Sequence, residues 1–86
     1  MSNDHFTCGV AVGTDLAVDR AVVRAVVRQD GIEIFTKSPF DTEIKHKVFP
    51  ITVDQYSDWV NGTPIQYAMP DLSADDRELL ITGMAW

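Results

Sequence analysis

Residues 16–31, "LAVDRAVVRAVVRQDG", hold three copies of an Ala-Val-x-Arg tetrad and decide what kind of layer the chain builds. A helix over 15–30 would take Thr14 or Asp15 as N-cap, carry Asp19 in its early turns and Arg24 and Arg28 in its late ones, and stop at Gly31. At about 100° per residue, Val18, Ala21, Val22, Ala25 and Val26 then share one face and the arginines the other. Val23 and Val27 fall outside that apolar face. A strand is the rival reading. Its valines suit a pleated surface, Asp30-Gly31 would form a two-residue hairpin turn, and Arg28 would lie opposite Glu33 and Val27 opposite Ile34. The helix is the preferred reading because a strand of about a dozen residues is long for a small domain, although arginines four apart repel one another on a helix.

On either side of this stretch the signals are simpler. Phe6–Val12, "FTCGVAV", reads as a strand with a central place in the sheet, closed by Gly13-Thr14-Asp15. Ile32–Lys37 and Glu43–Phe49 alternate around "SPFDT", where Pro39 and Asp41 form turns, so they read as an antiparallel pair. Pro50 closes the second strand. Thr52 then caps a helix over Val53–Val60 that buries Val53, Tyr56 and Val60 with Trp59 beside them, and Asn61-Gly62 ends it. Pro64 permits one or two helical turns in "TPIQYAM". A last helix starts at Ser73, with Asp76 placed to return a hydrogen bond, uses Leu79, Leu80 and Met84 as its apolar stripe, and stops at Gly83. The expected fold is α+β: one domain over 1–86, with a small antiparallel or mixed sheet of three to four strands and two short C-terminal helices.

The chain has 86 residues, 45% of them hydrophobic, which suits one modest core. Its net charge is -6, and the imbalance sits in one half: from residue 52 onward Asp54, Asp58, Asp71, Asp75, Asp76 and Glu78 face Arg77 alone. That half repels phosphate backbones and anionic lipid, so neither direct nucleic-acid binding nor membrane binding is expected, whereas a protein partner with a basic surface is allowed. The ordinary account of Asp75, Asp76 and Glu78 is helix N-terminal stabilisation, about 0.3 to 1 kcal/mol each. Asp54 and Asp58 lie one helical turn apart, and solvation is their ordinary account.

Catalytic machinery is not expected. Cys8 is the only cysteine and reads as a small buried hydrophobe rather than a nucleophile. His46, between Lys45 and Lys47, reads as a solvated or half-buried strand residue, and with His5 it supplies only two imidazoles, too few for a metal site. "CGVAVG" lacks the glycines and the Lys-Ser/Thr of a phosphate loop. No cofactor or metal is expected. With one cysteine, no leader pattern and no apolar run near the roughly 18 residues a bilayer span requires, the expected compartment is the cytoplasm. Trp86 reads as a core residue.

Residues 51–86 carry a Tyr/Trp helix, a Gly-containing turn, Ile-Gln, Pro-x-Leu-Ser and Arg-Glu-x-Leu-x-x-Gly, with Ile51, Tyr56, Trp59, Gly62, Ile65, Gln66, Pro70, Leu72, Ser73, Arg77, Glu78, Leu80 and Gly83 at the matching positions. This pattern resembles the C-terminal half of small bacteriophage-encoded proteins of unassigned function. The resemblance implies a phage origin, and with that origin a small acidic chain without catalytic machinery reads as a non-enzymatic inhibitor of a host defence or nucleic-acid-handling protein, acting in the host cytoplasm. In that reading Asp54, Asp58, Asp71, Asp75, Asp76 and Glu78 imitate nucleic-acid phosphates against a basic partner, and Trp59 and Tyr67 are apolar anchors. The alternative is a structural or assembly protein that forms a homodimer through Val23 and Val27.

Overall fold

A computed structural model describes residues 6–37 and 43–83. Four antiparallel strands, β1 (Asp15–Leu16), β2 (Val22–Arg28), β3 (Gly31–Lys37) and β4 (Ile44–Phe49), lie in chain order across one sheet. Three helices follow, α1 (Val53–Val60), α2 (Ile65–Ala68) and α3 (Ala74–Thr82). The fold is the expected α+β arrangement. Its decisive stretch, however, adopts the rival conformation, so the helix over 15–30 is replaced by β1, a connection and β2.

The physical reason lies in side-chain phase. A four-residue repeat is a multiple of the strand period of two, so Arg24 and Arg28 stay on one face of β2 while Ala25 and Val27 occupy the other. Each arginine then meets an acid across the sheet. Arg24 Nε lies 3.0 Å from Asp15 and Arg28 Nη2 lies 2.8 Å from Glu33, whereas a helix would stack like charges at i, i+4. The strand is also shorter than a dozen residues: a bulge between Val22 and Arg24 admits Val23, and Arg20 turns the chain at φ 55.

The hairpin register differs from the expected one by two residues. Arg28 pairs with Gly31, Val27 with Ile32 and Ala25 with Ile34, so Gln29 and Asp30 form the turn. A shift of two keeps every side chain on its face. Gly31 belongs to β3 because its backbone, at φ 153, runs against the Phe49 carbonyl of β4; a Cβ there would overlap that oxygen. It is therefore a point of close strand approach and not a helix stop.

Phe6–Val12 is not a strand. Cys8 and Gly9 take φ 53 and 84, and the Val10 amide donates to the Thr7 carbonyl at 2.9 Å, which closes a turn. Cys8 is exposed there rather than buried. The central strands are β2 and β3, with the two-residue β1 and β4 at the edges. The inward face of the sheet carries Val22, Ala25, Val27, Ile32, Ile34 and Phe49, and these join Ile51, Val53, Tyr56, Trp59, Ile65, Leu72, Leu79 and Leu80 in one core. The helices thus cover one face of the sheet.

Local signals place those helices. Thr52 Oγ1 accepts from the Gln55 amide while the Gln55 side chain accepts from the Thr52 amide, a reciprocal cap that starts α1 at Val53. Tyr56 in α1 donates its hydroxyl to the Ala17 carbonyl at 2.5 Å, tying the helix to the segment between β1 and β2. Burial and the nearby charge of Asp19 push its phenol above its ordinary value, so it remains a donor. Ser73 caps α3 and Gly83 ends it in the left-handed region at φ 75. Asp76 does not return the capping bond, because its carboxylate meets Lys47 Nζ of β4 at 2.8 Å. The turn expected at Ser38–Thr42 and the roles expected of His5, Met84 and Trp86 fall outside the described residues.

Two outcomes follow from the strand reading. Val27→Asp should destabilise the protein by at least about 3 kcal/mol in chemical denaturation, since it leaves a charge in the core, while Val23→Asp should stay within about 1 kcal/mol of wild type. A helical stretch would instead make both mild. Gly31→Ala should cost more than about 2 kcal/mol, far beyond its effect at a helix end, through overlap with the Phe49 carbonyl.

Candidate protein-interaction surface

The two layers divide the charge. On the outward face of the sheet, strand pairing sets Arg24, Phe35 and His46 in one row and Asp15, Val26, Glu33 and Val48 in the next. Glu33 is the hub: Arg28 Nη2 lies 2.8 Å from Oε1 and His46 Nδ1 lies 2.8 Å from Oε2. The Arg28 bond holds the Glu33 carboxyl below its ordinary value of 4.5; partial burial opposes this, and His46 adds to the lowering. Phe35 stacks on His46 with ring centroids 4.8 Å apart, and the Arg24 guanidinium lies 5.6 Å from the Phe35 centroid. The basic side chains of β2 are thus neutralised within the sheet. They do not fold over the acids of the C-terminal half.

Those acids lie on the helical layer. Asp54 and Asp58 project from the solvent side of α1 because Val53, Tyr56 and Trp59 take the core side. Asp71 is exposed between α2 and α3, and Asp75 and Glu78 are exposed on α3, which buries Leu79 and Leu80. Among the described residues none of these five carboxylates has an ion-pair partner. Asp76 stands apart, held by Lys47. The six acids therefore do not form a single cluster; five stand outward on three segments of one layer.

The two expected anchors separate. Tyr67 on α2 is 74% exposed, so it is available to a partner, whereas Trp59 is 5% exposed and packs edge-on against Tyr56 with centroids 5.7 Å apart. Trp59 is a core residue whose edge reaches a groove. The proposed self-association pair also separates: Val27 is fully buried and Val23 is exposed at the bulge. Helical spacing grouped them; strand alternation puts one inside.

Sequence reasoning missed the groove itself. It spans about 360 Å³ between the β1–β2 connection and α2, lined by Asp19, Arg20, Trp59, Ile65, Gln66 and Ile81. A shallower depression of about 250 Å³ shares Ile65, Gln66 and Ile81 and continues past Arg77 and Glu78 of α3. Buried Trp59 and Ile65 line the groove together with the charged Asp19 and Arg20, a mixed surface that suits a side chain from a docking protein. No local pattern marks it, because its walls come from segments some 60 residues apart in the chain. Among the described residues no group of three or more His, Cys, Asp or Glu side chains is placed to hold a metal, and no helix is long and apolar enough to cross a membrane.

The Glu33 hub gives the protein a defined acid response. A carboxyl held below its ordinary value in the folded state stabilises that state fully above about pH 4.5 and stops doing so as pH falls through the folded value. Glu33→Gln should lower stability at neutral pH by about 1 kcal/mol and flatten that part of the acid limb, as measured by denaturation at several pH values; equal pH slopes in variant and wild type would refute the assignment.

Compared with protein-family models, with curated proteins and with solved structures, the chain matches none.

Proposed function

We propose that the protein is a small non-enzymatic binding module that docks its acidic helical layer on a basic surface of another protein. One observation carries this reading: Asp54, Asp58, Asp71, Asp75 and Glu78 point outward without ion-pair partners among the described residues, while Arg24 and Arg28 are consumed on the opposite face of the sheet. A protein that used carboxylates only for solubility could scatter them among its bases. Here the unpaired acids and the paired arginines occupy different layers, which creates a one-sided negative field able to steer a basic partner.

In this reading Tyr67 supplies an apolar contact within the charged surface, and the groove beside Trp59 accepts a side chain from the partner. The resemblance of residues 51–86 to small phage-encoded proteins supports a narrower version. The partner would be a host protein that handles nucleic acid, its phosphate-binding lysines and arginines covered by these carboxylates, and the action would be inhibition in the host cytoplasm.

The test is binding to a host nucleic-acid-handling protein, with wild type and two variants compared across salt. Neutralising Asp54, Asp58, Asp71, Asp75 and Glu78 to Asn or Gln should weaken the complex at least about tenfold, and wild-type binding should weaken as ionic strength rises. Tyr67→Ala should cost about 1 to 2 kcal/mol of binding with little effect on salt dependence. A complex indifferent to both the neutralised acids and the salt would eliminate the proposal.

A further inference from the structure

We propose that the open edge of β4 takes an extended segment of another protein as a fifth strand, one that sets apolar side chains beside Ile44 and Val48 and a carboxylate beside Lys45. The sheet ends on β4 over six residues, whereas its other edge, β1, is two residues long. Among the described residues no backbone hydrogen bond from a loop or helix reaches residues 44–48, and all five are exposed.

Backbone direction identifies the groups on offer. The turn at Gln29 and Asp30 closes on the pair Arg28 and Gly31, so Gly31 bonds towards β2 and Ile32 towards β4. Ile32 pairs with Phe49, and the Phe49 carbonyl accordingly lies against Gly31 of β3. From there the β3–β4 register runs without a bulge to Lys37 and Ile44. In an unbroken antiparallel ladder successive residues bond to opposite sides, so Phe49, Lys47 and Lys45 bond to β3. Ile44, His46 and Val48 aim their amides and carbonyls at the open edge, where an added strand would meet them.

Side chains select what that strand carries. Ile44 and Val48 are 52% and 42% exposed on the outward side of the sheet, and apolar neighbours on an added strand would cover them. Lys45 and Lys47 project to the other side, at positions that exchange no hydrogen bonds with the added strand and where side chains come closest. Lys47 meets Asp76 at 2.8 Å, but Lys45 has no ion-pair partner among the described residues. Lys37, opposite Ile44, has none among them either. In a chain of net charge -6, this end of the sheet therefore presents two such lysines, and a carboxylate beside Lys45 answers the one at the edge. A second copy of β4 is the wrong occupant. Antiparallel registers that pair the middle of the strand set a lysine of one copy opposite a lysine of the other.

The probe is the peptide acetyl-Val-Thr-Val-Glu-Val-amide, whose glutamate falls opposite Lys45 when its first valine pairs antiparallel with Val48. Residue-resolved amide exchange of the full chain should be fast at Ile44, His46 and Val48 and slow at Lys45, Lys47 and Phe49. Peptide at about 1 mM should slow the first three at least about twofold, as a Kd of about 1 mM or tighter requires. Lys45→Glu should weaken binding at least about threefold and restore it for the same peptide with lysine in place of glutamate. Val48→Pro removes one amide from the open edge alone, so it should abolish binding while circular dichroism stays unchanged. Neutralising Asp54, Asp58, Asp71, Asp75 and Glu78 should not weaken the peptide complex, which separates this edge from the acidic layer. Slow exchange at Ile44, His46 and Val48 before peptide is added, no slowing with it, or equal affinity of wild type for the glutamate and lysine peptides would overturn the inference.

Discussion

Ala25 and Val27 of β2 face inward beside Ile34 and Ile32 of β3, and the helices can cover only what that antiparallel pairing turns inward. Once β2 and β3 are in register, Gly31 lets β4 close against them at the Phe49 carbonyl. Phe49 is then buried, and the chain leaves the sheet through Ile51 into the capped start of α1. The Tyr56 hydroxyl bond to Ala17 anchors the helix to the segment that precedes β2. The core is therefore organised outward from one hairpin, and a short chain of this kind has little other apolar surface to compensate for an error there.

The same alternation that builds the core distributes the charge. Because arginines 24 and 28 are separated by an even number of residues, both emerge on the outward face of the sheet, where Asp15 and Glu33 meet them. Asp54, Asp58, Asp75 and Glu78 emerge from helices whose apolar sides are turned to the sheet, so they stand apart from those arginines. Segregation of charge here needs no special device. It is a consequence of two layers, each with one buried side, and it sets the paired arginines of β2 and the unpaired acids of the helical layer on different sides of the molecule.

Much of the candidate site was legible because its signals are local. Thr52 with Gln55, Ser73 and Gly83 are caps whose chemistry acts within a few residues, and α1 and α3 begin and end where those residues place them. Alternation also identified β3 and β4, and the Arg28–Glu33 pair was foreseeable even though the hairpin register was off by two, since both registers keep these residues on one face. Trp59 and Val27 were misplaced for a different reason. Exposure of an apolar side chain depends on what lies across from it, and for these residues that is another element of the fold.

Composition, caps and alternation by themselves determined an α+β domain with an acidic C-terminal half and the starts and stops of α1 and α3. They could not decide the tetrad segment, because a repeat of four is close to the helical period of 3.6 and is also twice the strand period of two. Tertiary structure resolved it: only as a strand does the segment give Arg24 and Arg28 carboxylate partners, place Val27 beside Ile32, and let Gly31 meet the β4 backbone. The Arg24–Asp15 pair and the approach of Gly31 to Phe49 join residues that no local pattern links, and together with the hairpin pairs they outweigh the capping signals that favoured a helix.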